Sequence, residues 1–280
     1  MGQALGRLLR ERGESIAAIA SLSPERAALA AAFVGGAAQP ATYADLPQHA
    51  ARILIAVPDD AIGAVARLLA NVGMRQGIAL HTSGAHGPEA LAALAATGVA
   101  CGTLHPLQTV ANPAEGVRNL PGVAFAIDGA PQAVAWARQL AALLEGMPLN
   151  VPAASRPLYH AAAVMASNYL TALISTAVML MKEAGVDQAA ARLALAPLAH
   201  TSVENAFRLG PAAALTGPIA RGDADTVRGH LAALAKTPAA VDALYRAAGL
   251  ATLEIARRRG LAEVEAGAIE ELLRQGERCD

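Results

Sequence analysis

Two histidines stand where an imidazole could act on a ligand. His105 follows the apolar run 99–104 in Leu104-His105-Pro106-Leu107-Gln108, and suits a proton donor or a substrate ligand; a bond to its own loop is the alternative. His160, in Tyr159-His160, opens a long apolar helical stretch that also carries Asn168. His160, Val164 and Asn168 are spaced four apart, so a regular helix sets them broadly on one side. Polar groups on so apolar a helix need partners, either a neighbouring helix or a ligand in an interdomain cleft. In Leu215-Thr216-Gly217-Pro218-Ile219-Ala220-Arg221-Gly222-Asp223, Asp223 reads as a helix N-cap, and Arg221 as a grip for a carboxylate or as the partner of Asp223 in an ion pair. Gln108 and Tyr159 complete the substrate-facing set. His81 and His86 read as solvated loop histidines, with His230 and Asn205 as lesser candidates. No spacing suggests a metal site, and no G-x-S-x-G elbow suggests a hydrolase.

The elements that must position these residues differ between the two halves. Short β-type runs at 15–20, 38–42, 52–57, 77–82, 99–104, 123–127 and 149–151 alternate with helical segments at 2–12, 24–34, 60–71, 88–96 and 131–144. Ser23 and Asp59 are the expected N-caps of two of them. That alternation predicts a doubly wound parallel sheet over residues 1–152. From 153 the chain reads as long helices at 156–184, 187–209, 223–235, 239–259 and 263–275, an all-α second domain.

In such a sheet, ligands bind at the carboxyl ends of the strands. The expected contributors are Ala56, Val57 and Pro58 after one strand, Thr82 and Ser83 after the next, and His105 after the one beyond. A dinucleotide-binding domain opens with an apolar strand and G-x-G-x-x-G, and Gly2-Gln3-Ala4-Leu5-Gly6 looks like the end of that motif and the first helical turn. The expectation is therefore a sheet whose first strand and most of whose glycine loop precede Met1. Such a central strand buries about five side chains, on the order of 10 kcal/mol. The stretch Ser21-Leu22-Ser23-Pro24-Glu25-Arg26 offers no acid for a ribose hydroxyl but an arginine one turn on, which favours NADP over NAD. Ser23-Pro24-Glu25 is also an ordinary capping sequence.

Composition narrows the functional classes. Hydrophobic residues are 54% and charged residues 16% of the 280, enough apolar surface for two cores and too little charge for disorder. The 22 Lys and Arg against 23 Asp and Glu supply no basic field for nucleic acid. Cys101 and Cys279 fit no disulfide framework, and with no export signal the expected compartment is the cytoplasm. The stretch 159–181 is apolar enough to span a bilayer, but its His160, Asn168, Ser and Thr favour a buried central helix. A helical domain of about 125 residues cannot easily cover such a helix alone, so a homodimer through the C-terminal helices is expected.

Ile55-Ala56-Val57-Pro58-Asp59, Leu104-His105-Pro106-Leu107-Gln108, Tyr159-His160-Ala161-Ala162 leading to Asn168-Tyr169, and the run 214–223 together resemble bacterial proteins that join a Rossmann-like domain to a helical DUF2520 domain. More distantly, the domain order is similar to pyrroline-5-carboxylate reductase, prephenate dehydrogenase and the β-hydroxyacid dehydrogenases. The resemblance implies hydride transfer between NAD(P) and a small substrate, and dimerising helical domains. It also marks a departure: the β-hydroxyacid dehydrogenases place a lysine four residues before a helix asparagine, where this chain has Val164. His160, one turn earlier, is the expected substitute. The alternative is a dimeric nucleotide-binding sensor or structural module without turnover.

Overall fold

The computed structural model describes residues 1–275, so Cys279 lies outside the described residues. Two compact units divide at Tyr169/Leu170. The composition changes near 152, but the first helical turns beyond it pack into the first unit, drawn there by the buried Arg156.

In the first unit α1 (Gly2–Glu11), β1 (Ala18–Ala20), α2 (Pro24–Val34), β2 (Gln39–Ala41) and α3 (Leu46–His49) lead to β3 (Arg52–Ile55), α4 (Asp59–Asn71) and β4 (Ile78–His81). A 3₁₀ turn at Pro88–Leu91, α5 (Ala92–Ala95), β5 (Ala100–Pro106), α6 (Pro113–Asn119), β6 (Ala124–Gly129), α7 (Pro131–Leu143), β7 (Met147–Asn150), α8 (Arg156–Val164) and a π-helical turn at Met165–Tyr169 follow. Ser23 caps α2 as expected, accepting from the Arg26 N–H. Asp59 does not cap α4: Pro58 takes the N-cap place and Asp59 is the first helical residue.

The strands form two sheets, β1-β2 and β3-β4-β5-β6-β7. All pairs are parallel except β5 with β6, where His105 faces Ala126 and Pro106 faces Phe125 in antiparallel register. The wholly parallel sheet expected from alternation fails at this one pair, where β6 runs against β5.

Helices cover both faces of this sheet. Leu54, Leu80, Leu104, Phe125 and Ile127 pack with Ala4, Leu5, Leu8 and Leu9 of α1 and Trp136, Ala137 and Leu140 of α7 on one face. Ile53, Ile55, Ala79 and Cys101 pack with Ile62, Val65, Ala66 and Leu69 of α4 and with Leu91 and Leu94 on the other. Leu5 is fully buried, and its truncation to Ala would cost about 2–5 kcal/mol.

The second unit holds α9 (Leu170–Glu183), α10 (Gln188–Leu209), α11 (Pro211–Ala214), α12 (Ala224–Leu234), α13 (Ala239–Arg258) and α14 (Glu263–Arg274). Its core joins Ile219, Val227, Leu231, Leu253, Ala266, Ile269 and Leu273 from α12, α13, α14 and the turn before α12. α9 and α10 are different in character. The helix Ala153–Glu183 is long and apolar enough to cross a membrane, and only 6% of its apolar window is buried. The buried central helix read from sequence is thus exposed, as are Leu193, Leu198 and Phe207 on α10.

Candidate functional site

The carboxyl ends of β4 and β5 and the first two turns of α8 bring five polar side chains together within the first unit. His105, near the end of β5, places Nδ1 2.8 Å from the Tyr159 hydroxyl, with the rings edge to face at 89°. Both residues are half-buried. The loop after β4 closes over them at Gly84, where a Cβ would meet His105 Cε1 and Nε2 at 2.7 Å and His160 Nδ1 at 3.0 Å. Gly84 is therefore needed for space. His160 Nδ1 is buried and has no hydrogen-bond partner of its own.

The electrostatics keep His105 and Tyr159 neutral at physiological pH. Burial, then the charges of His160 and Arg156, lower the His105 pKa to about 4. Burial raises that of Tyr159, so the phenol keeps its proton, while the Arg156 charge pulls the other way. With both groups neutral, the Tyr159–His105 bond can run in either direction. When Tyr159 O–H donates to Nδ1, His105 presents Nε2–H toward Gly84; in the other tautomer Nε2 is an acceptor there.

Arg156 was not legible as a site residue. It is 1% exposed, donates to the Thr103 hydroxyl and to the Ser83 carbonyl at 3.4 Å, and leaves Nε unpaired. Among the described residues no carboxylate lies within ion-pair distance of it. A buried cation held only by neutral acceptors is costly, and points to work on its surroundings. An arginine next to a prolyl turn at a domain boundary carries no sequence signal that it will be buried.

The remaining sequence candidates separate. His81 is not solvated but fully buried at the end of β4; its Nε2 lies 2.8 Å from the Gly87 carbonyl, and Nδ1 accepts from the Ser83 N–H. Burial lowers its pKa, and it fixes the turn. Ser83 Oγ accepts from the N–H groups of Ala85 and His86, so it shapes the same loop, while the Thr82 N–H bonds the Ile55 carbonyl. Gln108 is exposed and tied to its own loop, donating to the Asn119 carbonyl and accepting from the Thr109 N–H. Asn168 falls inside the π turn, so the regular four-residue ladder from His160 through Val164 breaks, and Asn168 is exposed. In the second unit Asp223 caps α12, accepting from the Thr226 N–H and hydroxyl. Arg221 is exposed and forms no ion pair with it. Cys101 is buried with its pKa raised to about 11, which removes it as a nucleophile.

One end of this arrangement offers the donors that a phosphate group needs. Gly2 and Gln3 open α1, whose N-terminus has no side-chain cap and no acidic residue in its first turn, leaving N–H groups and a positive dipole end for a phosphate. Gly2 lies against Ala56, where a Cβ would come within 2.9 Å of the Ala56 Cβ. Ser21 and the exposed Arg26 lie beyond β1, with the Ser23 side chain taken up by its cap. By contrast α4 opens on Asp59 and Asp60 and repels an anion.

This α/β unit is a Rossmann-like domain: residues 1–106 match the family model of that description. Residues 123–252 match the domain of unknown function DUF2520, so the chain joins the two, and the second match begins ahead of the reversed strand β6. Among solved structures the chain is similar to a Thermotoga maritima protein at 23% identity, covering 91% of this chain and 96% of that one with a TM-score of 0.72. It is similar to a protein described as an NADP oxidoreductase from Bacteroides fragilis at 20% identity, covering 96% and 93% with a TM-score of 0.66. A Plasmodium falciparum pyrroline carboxylate reductase with NADP bound is 12% identical, with 97% and 94% covered and a TM-score of 0.59. These likenesses establish the fold. No curated protein matches the sequence.

Proposed function

We propose that this protein is an NADP-preferring, NAD(P)-dependent oxidoreductase that reduces or oxidises a small carboxylate-bearing substrate. The observation that carries the reading is the Tyr159–His105 bond at the strand ends, with His105 Nε2 and His160 Nδ1 both beside Gly84. The description of one structural neighbour as an NADP oxidoreductase and of another as a pyrroline carboxylate reductase with NADP bound supports the class.

The cofactor supplies hydride; the chain's own residues handle the proton. Because His105 is neutral, it serves as a relay and not as a free imidazolium acid. Its Nε2–H gives a proton to the substrate oxygen or nitrogen while Nδ1 takes the proton of Tyr159. The phenolate so formed is stabilised by the buried charge of Arg156. His160 Nδ1, otherwise unpaired, holds the reacting group of the substrate in place.

The exposed apolar residues Leu173, Ile174, Leu193, Leu198 and Phe207 of α9 and α10 support a homodimer built on these helices. Light scattering at micromolar concentration should give twice the monomer mass. NADPH oxidation is to be followed with a panel of small keto, imino and hydroxy acids. Substrate-dependent turnover supports the enzyme, and cofactor binding without turnover on any of them would favour the non-catalytic sensor instead.

A further inference from the structure

Among the described residues Arg156 is the only arginine or lysine that is buried. Its terminal nitrogens donate to the Thr103 hydroxyl in β5 and to the Ser83 carbonyl in the loop after β4, so the guanidinium is tied to the carboxyl ends of both strands. Burial sets the direction of the pKa shifts at His81, His105 and Tyr159, and the Arg156 charge acts on all three, pulling each one down. A positive field therefore covers the strand ends.

Little answers that charge. Asp128 and Glu89 are the acids within electrostatic reach of Arg156, and Asp59 is the one within reach of His105. Among the described residues none of them lies within ion-pair distance of the guanidinium. Asp59 and Glu89 are exposed, where water and salt screen them. Glu89 accepts from the Gly87 N–H, and the half-buried Asp128 accepts from the Gly129 N–H.

A nicotinamide ring is neutral when reduced and carries one positive charge when oxidised. In the reaction as proposed, the substrate carbon gains a hydride and its oxygen or nitrogen gains the His105 Nε2 proton. Nδ1 gains the Tyr159 proton, and the phenolate regains one from water. While Tyr159 is a phenolate, its negative charge offsets the oxidised ring. Once Tyr159 is protonated again, the oxidised ring and Arg156 remain as two like charges.

We propose that Arg156 makes this site selective for the reduced cofactor, its uncompensated buried charge admitting the neutral dihydronicotinamide ring and disfavouring the oxidised, cationic one. The selectivity rests on the oxidoreductase reading and gives it a direction: NADPH loads in preference to NADP⁺, and NADP⁺ leaves once Tyr159 has its proton back, as a reductase requires. Two unit charges about 6–10 Å apart at an effective dielectric constant of about 20 correspond to a difference of about 10- to 100-fold in affinity.

Affinities test this without turnover. Titration of the full chain should show NADPH binding at least about tenfold more tightly than NADP⁺. Nicotinamide and the 1-methylnicotinamide cation, the same ring without and with the charge, should show the same order when followed by the His105 and His160 ring resonances. Arg156→Met should bring both ratios to within about threefold, and Arg156→Lys, which keeps the charge, should retain them. If Arg156→Met does not fold, the ratios in the unaltered protein and in Arg156→Lys decide. NADP⁺ bound as tightly as NADPH overturns the proposal and leaves the oxidoreductase reading standing. A preference that survives Arg156→Met belongs to another group and overturns it as well. Binding of neither nucleotide and of neither nicotinamide overturns both the selectivity and the oxidoreductase reading.

Discussion

The Tyr159 hydroxyl and His105 Nδ1 are 2.8 Å apart, joining the first turns of α8 to the end of β5 through one hydrogen bond between two neutral groups. If this bond is the proton path, Tyr159→Phe removes the proton source and leaves the fold and the cofactor-binding residues alone. Turnover should fall by about 10²–10⁴-fold, the usual range for one proton-transfer group, with NADPH affinity within about twofold. Steady-state kinetics beside an NADPH titration check it, and turnover within about threefold of the unaltered protein takes Tyr159 out of the path.

Arg156→Met keeps most of the buried volume and removes the charge. The His105 pKa, held near 4 partly by that charge, should rise. The histidine ring resonances followed by NMR across pH 3–8 read the shift directly. An unmoved titration means that Arg156 only ties Thr103 to Ser83.

Stability should depend on pH through His105. Its folded pKa lies below the ordinary value of 6.5, so the unfolded chain takes up the proton first. The contribution is complete above about pH 6.5 and is lost as pH falls toward 4. His81 adds to the loss in the same direction. Urea midpoints at pH 7 and pH 4.5 should differ less in His105→Gln than in the unaltered protein, and equal differences contradict the assignment.

Gly84→Ala places a methyl at 2.7 Å from the His105 ring. Overpacking of this kind costs about 1–3 kcal/mol, and the displaced imidazole should lose its bond to Tyr159. Thermal unfolding with kinetics separates the two effects: activity should fall by far more than the lost stability explains.

Arg26 is exposed in the first turn of α2 and makes no ion pair among the described residues, which leaves its guanidinium available for a 2′-phosphate. Arg26→Ala should weaken NADPH by about tenfold and leave NADH unchanged. Equal loss for both nucleotides removes Arg26 from cofactor selection.

Much of the fold was legible because its signals are local. The apolar run before Pro58 gave β3, the Ser23-Pro24-Glu25 sequence gave the start of α2, and the loss of alternation after 152 gave the helical half. What could not be read depends on tertiary geometry. The reversal of β6 is set by which end of the sheet the chain re-enters, the π turn breaks a ladder that spacing alone predicts as regular, and the burial of His81 and Arg156 is decided by how the chain packs around them. The His105–Tyr159 pairing spans 54 positions, so spacing could nominate both residues but not join them.

If the strand ends of the first unit hold a nicotinamide cofactor, NADPH and NADH titrated into this chain and followed by fluorescence should bind saturably, NADPH the tighter. Absence of binding by the folded chain would rule the cofactor out and leave the Tyr159–His105 pair without a hydride to serve.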